Sequence, residues 1–340
     1  MVLNCRRFDK VAVHNVASWH TARVMRMLML AGCAWVSAAQ AASFPNKPLR
    51  LVTGSAPGGG SDFVARALAE KLTERLGQPV LVDNRPGAAG AIGADVVAKA
   101  NPDGYTLLIN TGSAIAVNPA LQLQPYDVKR DFLPVMLVSR APFVLAVHPS
   151  LPAKNVAELI QLAKAQPKKL SYASSGIGAM SHLAMELFKQ EAGVDLLHVP
   201  YKDQGGALTD LMAGRTDAMM TVLFTVQNQL RSGKMRLVGT LTSERSSTTP
   251  STPTLREQGA PGVSVQVWYA LVAPAGLPGA VQSRLNESIN VALQRKDIRE
   301  VFENQGLVPA GGSPERLGEW MRGELSRWQK VVGSAGIKAD

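Results

Sequence analysis

From Pro45 onward the sequence alternates short apolar runs with helix-length stretches, and this alternation restricts the fold more than any other feature. Leu49-Arg50-Leu51-Val52 reads as a strand. Val64, Leu68, Leu72 and Leu76 then recur on one face of a helix from about Ser61 to Leu76, which Gly77 and Pro79 stop. Val80-Leu81-Val82 is a second strand, followed by the turn Asn84-Arg85-Pro86-Gly87 and the helical stretch AAGAIGADVVAKA. Asn101-Pro102-Asp103-Gly104 turns the chain into a strand over Tyr105–Asn110. This opening spells β-α-β-α-β, a parallel α/β unit.

The pattern returns with new material. A strand at Phe143–Val147, bounded by Pro142 and Pro149, precedes a helix over Val156–Ala165, a strand over Leu170–Ala173 and a helix over Met180–Ala192. A strand at Val194–Val199 and a helix at Leu208–Ala213 follow, and strands Ala218–Val222 and Leu237–Leu241 flank a helix near Val226–Arg231. The Ser/Thr/Pro-rich stretch Ser243–Leu255 reads as a surface loop. Beyond a strand at Trp268–Ala273 the tail is helical, over Gly279–Gln294, Lys296–Gln305 and Pro314–Val331. There is no internal repeat. An aromatic fraction of only 5% leaves Ala, Val, Leu and Ile to build the core, which suits helix-covered parallel sheets better than a sandwich. Two α/β units and a helical tail predict two lobes with a small-ligand cleft between them, where strand C-termini and helix N-termini converge.

The first forty residues differ in kind. Arg23 and Arg26 precede MLMLAGCAWVSAA, and Ala39-Gln40-Ala41 follows, the layout of a secretory signal peptide over residues 1–41 with cleavage near Ala41. The segment Met1–Val24 is long and polar for an n-region, which points to a start at Met25 or Met27. A rival reading takes Leu30-Ala31-Gly32-Cys33 as a lipobox with acylation of Cys33. Cys5 and Cys33 are both in this leader, so a cleaved chain has no thiol for a disulfide, a nucleophile or a metal. The leader also carries away +4 of the formal +10 charge. What remains is mildly basic without a Lys/Arg run, favouring small anions and arguing against nucleic acid.

Two loops could hold such an anion. In SAPGGGSDFVARALAEKL, Gly58, Gly59, Gly60 and Ser61 sit where a helix N-terminus exposes unpaired N–H groups, with Asp62 as its cap. No Gly-Lys-Ser/Thr follows and there is no G-x-G-x-x-G, so nucleotide binding is not expected. The second loop, Ser174-Ser175-Gly176-Ile177-Gly178-Ala179-Met180-Ser181-His182, also joins a strand to a helix and offers hydroxyls and amides to a carboxylate. A third, Asn110-Thr111-Gly112-Ser113-Ala114, ends a strand and places Ser113 toward the same cleft. His148, His182 and His198 show no metal-ligand spacing, and no G-x-S-x-G elbow accompanies His182. Neither a catalytic set nor a cofactor site is legible.

Taken in order, FPNKPLRLV, APGGGSDFVARALAEKL, LGQPVLVDNRPGAAGAIGADVVAKANPDGYTLL, LSYASSGIGAMSHLAMELF, HVPYKDQGGALTDLMAGRTDAMM, WYALVAPAGLP and VALQRKDIREVFENQGLVPAGGSPERL resemble the substrate-binding components of tripartite tricarboxylate transporters, the Bug family. The resemblance runs from Phe44 to the C-terminus. It implies a two-lobed type II periplasmic-binding-protein fold, each lobe a mostly parallel sheet flanked by helices. It also implies a periplasmic protein that captures a small carboxylate by lobe closure and passes it to a two-component membrane permease; two lobes that must hinge freely favour a monomer. Carried onto this chain, one jaw is Gly58, Gly59 and Ser61. The other is Ser174, Ser175, Gly176, Ser181 and His182, with Tyr201, Asp203 and Thr221 close by. Lobe I would comprise 42–142 and 268–340 and lobe II 143–267, crossing near 140–147 and 265–273 with Trp268 at the hinge.

The chain departs from the family at three places. Gly54-Ser55 stands where the family has Pro-aromatic, Asp203-Gln204-Gly205-Gly206 where it has Gly-x-x-Pro, and Thr221-Val222 where it has an acidic residue and Asn. These predict a missing apolar wall, an added negative charge at Asp203 and one removed at Thr221. Two alternatives stand beside capture and delivery: a ligand sensor signalling to a membrane receptor, and a secreted hydrolase using Ser175 or Ser181 with His182, for which the triad logic is unmet.

Overall fold

The computed structural model describes residues 44–246 and 248–337. The leader, with its Ala39-Gln40-Ala41 site, Cys5 and Cys33, lies outside the described residues.

Two mixed sheets share one long strand. In chain order the first elements are β1 (Leu49–Thr53), α1 (Gly60–Leu76), β2 (Val80–Asn84), α2 (Ala91–Ala98), β3 (Thr106–Thr111), α3 (Asn118–Leu121), α4 (Val128–Asp131) and β4 (Phe132–Val147). There follow α5 (Val156–Ala165), β5 (Ser171–Ser174), α6 (Met180–Ala192), β6 (Leu197–Pro200), α7 (Gln204–Met212), β7 (Ala218–Val222), α8 (Leu223–Arg231) and β8 (Arg236–Thr240). The chain closes with β9 (Gln266–Pro274), α9 (Gly279–Gln294), α10 (Lys296–Asn304), β10 (Val308–Pro309) and α11 (Pro314–Ala335).

In the first lobe β2, β1 and β3 are parallel, and β9 joins β3 antiparallel. Residues Phe132–Pro142 of β4 then pair with β9. In the second lobe β6, β5 and β7 are parallel, and residues Phe143–Val147 of the same β4 lie between β7 and β8, antiparallel to both. Each sheet is thus parallel where βαβ crossovers build it and antiparallel where β4 and β9 pass through. The result is a two-lobed periplasmic-binding-protein fold with the ligand cleft between the lobes.

β4 is where the fold departs most from the local sequence. Its first half is not among the strands expected from sequence, where Pro142 reads as the boundary of a strand that starts at Phe143. Pro134 sits at a shift in the β4–β9 register, and Pro142, which has no N–H to give, ends that pairing. These are the positions at which a sheet tolerates proline. The second half is apolar throughout because both faces are covered. Val144 and Ala146 pack into one cluster with Ala173, Leu211, Met219 and Val226, while Phe143, Leu145 and Val147 join the main core. Full burial of a residue of this size contributes about 1.5–3 kcal/mol, so a two-sided strand is a strong organiser. The stretch Ser243–Leu255 also differs from expectation at its end. Thr254 and Leu255 are buried, and the Thr254 backbone bridges to Thr240.

Candidate functional site

A cavity of about 460 Å³ lies where the connecting strands, the strand C-termini and the helix N-termini meet. Ala88, Ala89, Ser113, Val117, Asn118, Leu121 and Gln122 line it from the first lobe, and Phe143 and Val267 from the connecting strands. Ser175, Ile177–Ser181, Gln204, Thr221 and Val222 line it from the second lobe. Among the described residues no charged side chain borders it.

Its polar groups are neutral and convergent. The Ser175 N–H donates to Ser181 Oγ at 3.0 Å, and the two hydroxyls lie 3.1 Å apart. Gln204 donates its amide to Thr221 Oγ1 at 3.1 Å. The loop before α6 winds tightly, with Gly176 and Gly178 at positive φ (131° and 74°), and the Ala179 cap position provides no side-chain acceptor. Met180 and Ser181, both lining the cavity, therefore begin a helix with no side-chain cap, at the positive end of its dipole. Across from them Ala88 and Ala89 both have positive φ, 47° and 49°, which is unusual for a residue with a Cβ. Strain of this kind concentrates where a structure holds its backbone for a ligand.

The sequence-predicted residues divide. Ser113, Ser175, Ser181 and Thr221 line the cavity. Ser174, behind it, is fully buried, with its Oγ 2.7 Å from His198 Nε2 and accepting the Gly176 N–H. His182 is also buried behind the loop. Its Nδ1 accepts the Gly178 N–H at 3.0 Å, which leaves the ring proton on Nε2, and its ring stacks on that of His198 with centroids 4.0 Å apart. Burial lowers the His182 pKa, and burial together with the neighbouring His182 pushes His198 down to about 4. His182 makes no hydrogen bond to Ser175 or Ser181 among the described residues; it braces the loop from behind.

Tyr201 and Asp203 hold the neighbouring helix. The Tyr201 hydroxyl donates to Asp210 at 2.7 Å, and Asp203 caps α7 by accepting the Gly206 N–H at 2.9 Å. The negative charge expected at Asp203 is thereby engaged with a helix N-terminus.

The glycine loop before α1 does not border the cavity. The Gly58 N–H donates to Asp62 at 2.8 Å, and the Asp62 N–H donates to Ser55 Oγ at 2.9 Å. Burial opposes ionisation of Asp62, but Arg66, the Gly58 N–H and the Asn84 amide together hold its carboxyl below the usual range. Gly60 lies so close beneath Tyr269 that a Cβ would stand 2.4 Å from the phenol oxygen. The N–H groups of Gly60 and Ser61 have no acceptor among the described residues.

Gly54 is explained by crowding, since a Cβ there would stand 2.4 Å from the Gly90 Cα. Ser55 serves as the acceptor for Asp62. The apolar wall that this segment does not supply comes instead from Phe143, Val117, Leu121, Met180 and Val267. Ala88, Ala89, Asn118, Gln122 and Gln204 were missed from sequence. Only the Pro-Gly of RPGAAG signalled an unusual turn, and neutral amides carry no motif.

The sequence profile described as "Tripartite tricarboxylate transporter family receptor" matches residues 64–337. The chain belongs to that family. Protein BugT of Bordetella pertussis is 38% identical to this receptor over 298 residues, covering 87% of this chain and 91% of BugT. A protein from the tcbD-tcbE intergenic region of Pseudomonas sp. strain P51 is 39% identical over 291 residues, 85% of this chain and 87% of its own. Among solved structures, an R. palustris protein with adipate superposes with a TM-score of 0.75 at 35% identity, covering 87% of this receptor and 99% of that chain. MatC from Rhodopseudomonas palustris with bound malate gives 0.71 at 32% identity, over 85% and 100%.

Proposed function

We propose that this receptor captures a small carboxylate in the 460 Å³ cavity by closing its lobes, without chemistry, and delivers it to a two-component membrane permease. The observation that carries the reading is the uncharged cavity, walled by Ser175, Ser181, Thr221, Gln204 and the open N-terminus of α6. Hydroxyls, amides and a helix dipole satisfy a carboxylate without introducing a competing acid or a permanent ion pair. Related structures hold adipate and malate, which supports the ligand class. The opposite jaw in this reading includes Gly58, Gly59, Gly60 and Ser61, whose last two N–H groups are available. Lobe I is residues 42–142 and 268–340 and lobe II 143–267, hinged at the β4–β9 ribbon. The protein acts as a monomer in the periplasm after export and cleavage near Ala41.

Closure contributes to binding only through contacts that both lobes make at once, so the ligand selects the closed form. Thermal-shift and calorimetric titration of ligand-free protein with mono- and dicarboxylates of increasing length tests this. A stabilising shift is expected for some of them, abolished in Ser175→Glu, where a carboxylate would stand among the acceptors. Ligand-free protein that responds to no member of such a panel would refute the reading.

A further inference from the structure

The ribbon of β4 and β9 has two faces, and each borders a cavity. Successive side chains of a strand point to opposite faces. Phe143 and Val267 line the cleft, whereas Arg140, Pro142 and Gln266 line a separate cavity of about 270 Å³ on the other face. Val308 of β10 and the turn Thr242–Ser246 after β8 complete its walls.

Arg140 is anomalous there. It is half-buried, its Nε is buried without an acceptor, and its guanidinium makes no ion pair or hydrogen bond among the described residues. Arg236 and Arg327 also leave Nε bare, but their terminal nitrogens are matched, Arg327 to Glu324 and Arg236 to the carbonyls of Leu151 and Ala153, as Arg50 is to Asp83. A secluded cation without a partner is costly to keep. Burial, and then the positive charge of Arg316 on α11, both work against the Arg140 cation. Arg245 on the same wall is already engaged by Glu257 at 3.0 Å. Glu244, exposed on the turn, borders the cavity without pairing with Arg140. The Gln266 amide and the Ser243 hydroxyl are likewise without partners among the described residues.

We propose that this second cavity binds a compact oxyanion, with the Arg140 guanidinium as its charge partner and Gln266 and Ser243 donating hydrogen bonds. The site is distinct from the carboxylate cleft and does not depend on the reading of that cleft. It gives the unmatched guanidinium the charge-assisted bonds it lacks. Its walls come from both lobes, because Arg140 and Val308 pair within the first sheet while Thr242–Ser246 follows β8 of the second. If the lobes close about the ribbon, the opposite face spreads. An oxyanion bridging that face then favours the open cleft, and by linkage a cleft ligand weakens the oxyanion to the same degree.

Inorganic phosphate is the probe, titrated at constant ionic strength and followed by calorimetry and by tryptophan fluorescence, since Trp268 lies in the ribbon. Saturable binding is expected. Arg140→Gln should weaken it about tenfold or more, the loss of one charged hydrogen-bonding group. Ser243→Glu puts a carboxylate at the exposed rim, leaves the arginine in place and should abolish binding. Ser175→Glu, in the cleft, should leave it unchanged. The proposal is overturned if phosphate shows no saturable binding, if both Arg140→Gln and Ser243→Glu bind as tightly as the parent, or if Ser175→Glu removes the binding, which would place phosphate in the cleft.

Discussion

Glu324, on α11, ties the C-terminal helix to the connecting ribbon, and its removal should be among the most damaging single changes in the protein. Its Oε2 accepts the indole N–H of Trp268 on β9 at 3.2 Å and that of Trp328 at 3.3 Å. Arg327 pairs with both carboxylate oxygens, at 2.8 and 2.9 Å, and also donates to the Ser264 carbonyl just before β9. The Glu324 side chain is 9% exposed and that of Arg327 29%. Glu324→Leu therefore strands a largely buried cation and two buried indole donors. Breaking a buried pair costs about 3–5 kcal/mol, and the lower end applies because Arg327 keeps some contact with water. Each orphaned indole adds about 1 kcal/mol, the low end for a buried donor left unsatisfied, for a total near 5 kcal/mol. The double variant Glu324→Leu/Arg327→Met removes the stranded cation and should recover about 3 kcal/mol, leaving mainly the indole term. Urea unfolding followed by far-UV circular dichroism measures both, since tryptophan emission is itself perturbed. A single-variant loss under about 1 kcal/mol, or a double variant no more stable than the single, would refute the argument that the carboxylate neutralises a buried arginine.

Gly112→Ala should lower stability by about 3 kcal/mol, the upper end for overpacking, because the new Cβ would meet the fully buried Trp268 indole at 2.4 Å. Proteolytic susceptibility and melting temperature report it. Stability should also fall as pH drops from about 6.5 towards 4. His198 has a folded pKa pushed down to about 4 from 6.5, so the unfolded chain binds the extra proton in that window, and the stabilisation is complete only above it. The expected loss is about 2 kcal/mol after allowance for partial exposure. His198→Asn should flatten the profile of urea midpoints, and an unchanged slope would exclude the stacked histidines as its source. Asp62→Ala removes the acceptor of the Gly58 N–H, of the Asn84 amide and of Arg66, and should cost about 1–3 kcal/mol in thermal unfolding.

Much of the fold was legible because its local signals agree with its packing. Helices Val156–Ala165, Met180–Ala192 and Gly279–Gln294 fall at the boundaries read from sequence, the first with Asn155 capping the Glu158 N–H. The first half of β4 was not legible, since the tolerance of Pro134 and Pro142 depends on a register shift that only the partner strand creates. The cavity divides in the same way. Ser175 and Ser181 stand in a turn whose glycines and hydroxyls advertise it. Ala88 and Ala89 do not, because nothing in two alanines announces a positive φ imposed from outside. The family resemblance places His182 among the ligand groups. Which way its ring faces is decided by the stack on His198 and Tyr172, residues distant in sequence.

The neutrality of the cavity fits a carrier better than a charged pocket would. In the proposed reading a carboxylate must be held firmly and then surrendered. A buried arginine would make release leave an unpaired charge, and disrupting such a pair costs about 2–5 kcal/mol, most of it in the dissociation rate. Serine hydroxyls, the Gln204 amide and helix N–H groups return to water at much lower cost when the lobes part. If the lobes close as proposed, the ribbon bends without breaking, and β4 offers a step at which it can. At Pro142 the strand leaves β9, and from Phe143 it pairs with β7 and β8, so neither ladder is continuous across that step. A twist at this step would move Phe143 against the cleft and Arg140 against the opposite cavity together. That is why the two sites, separate in chemistry, are expected to respond to one motion.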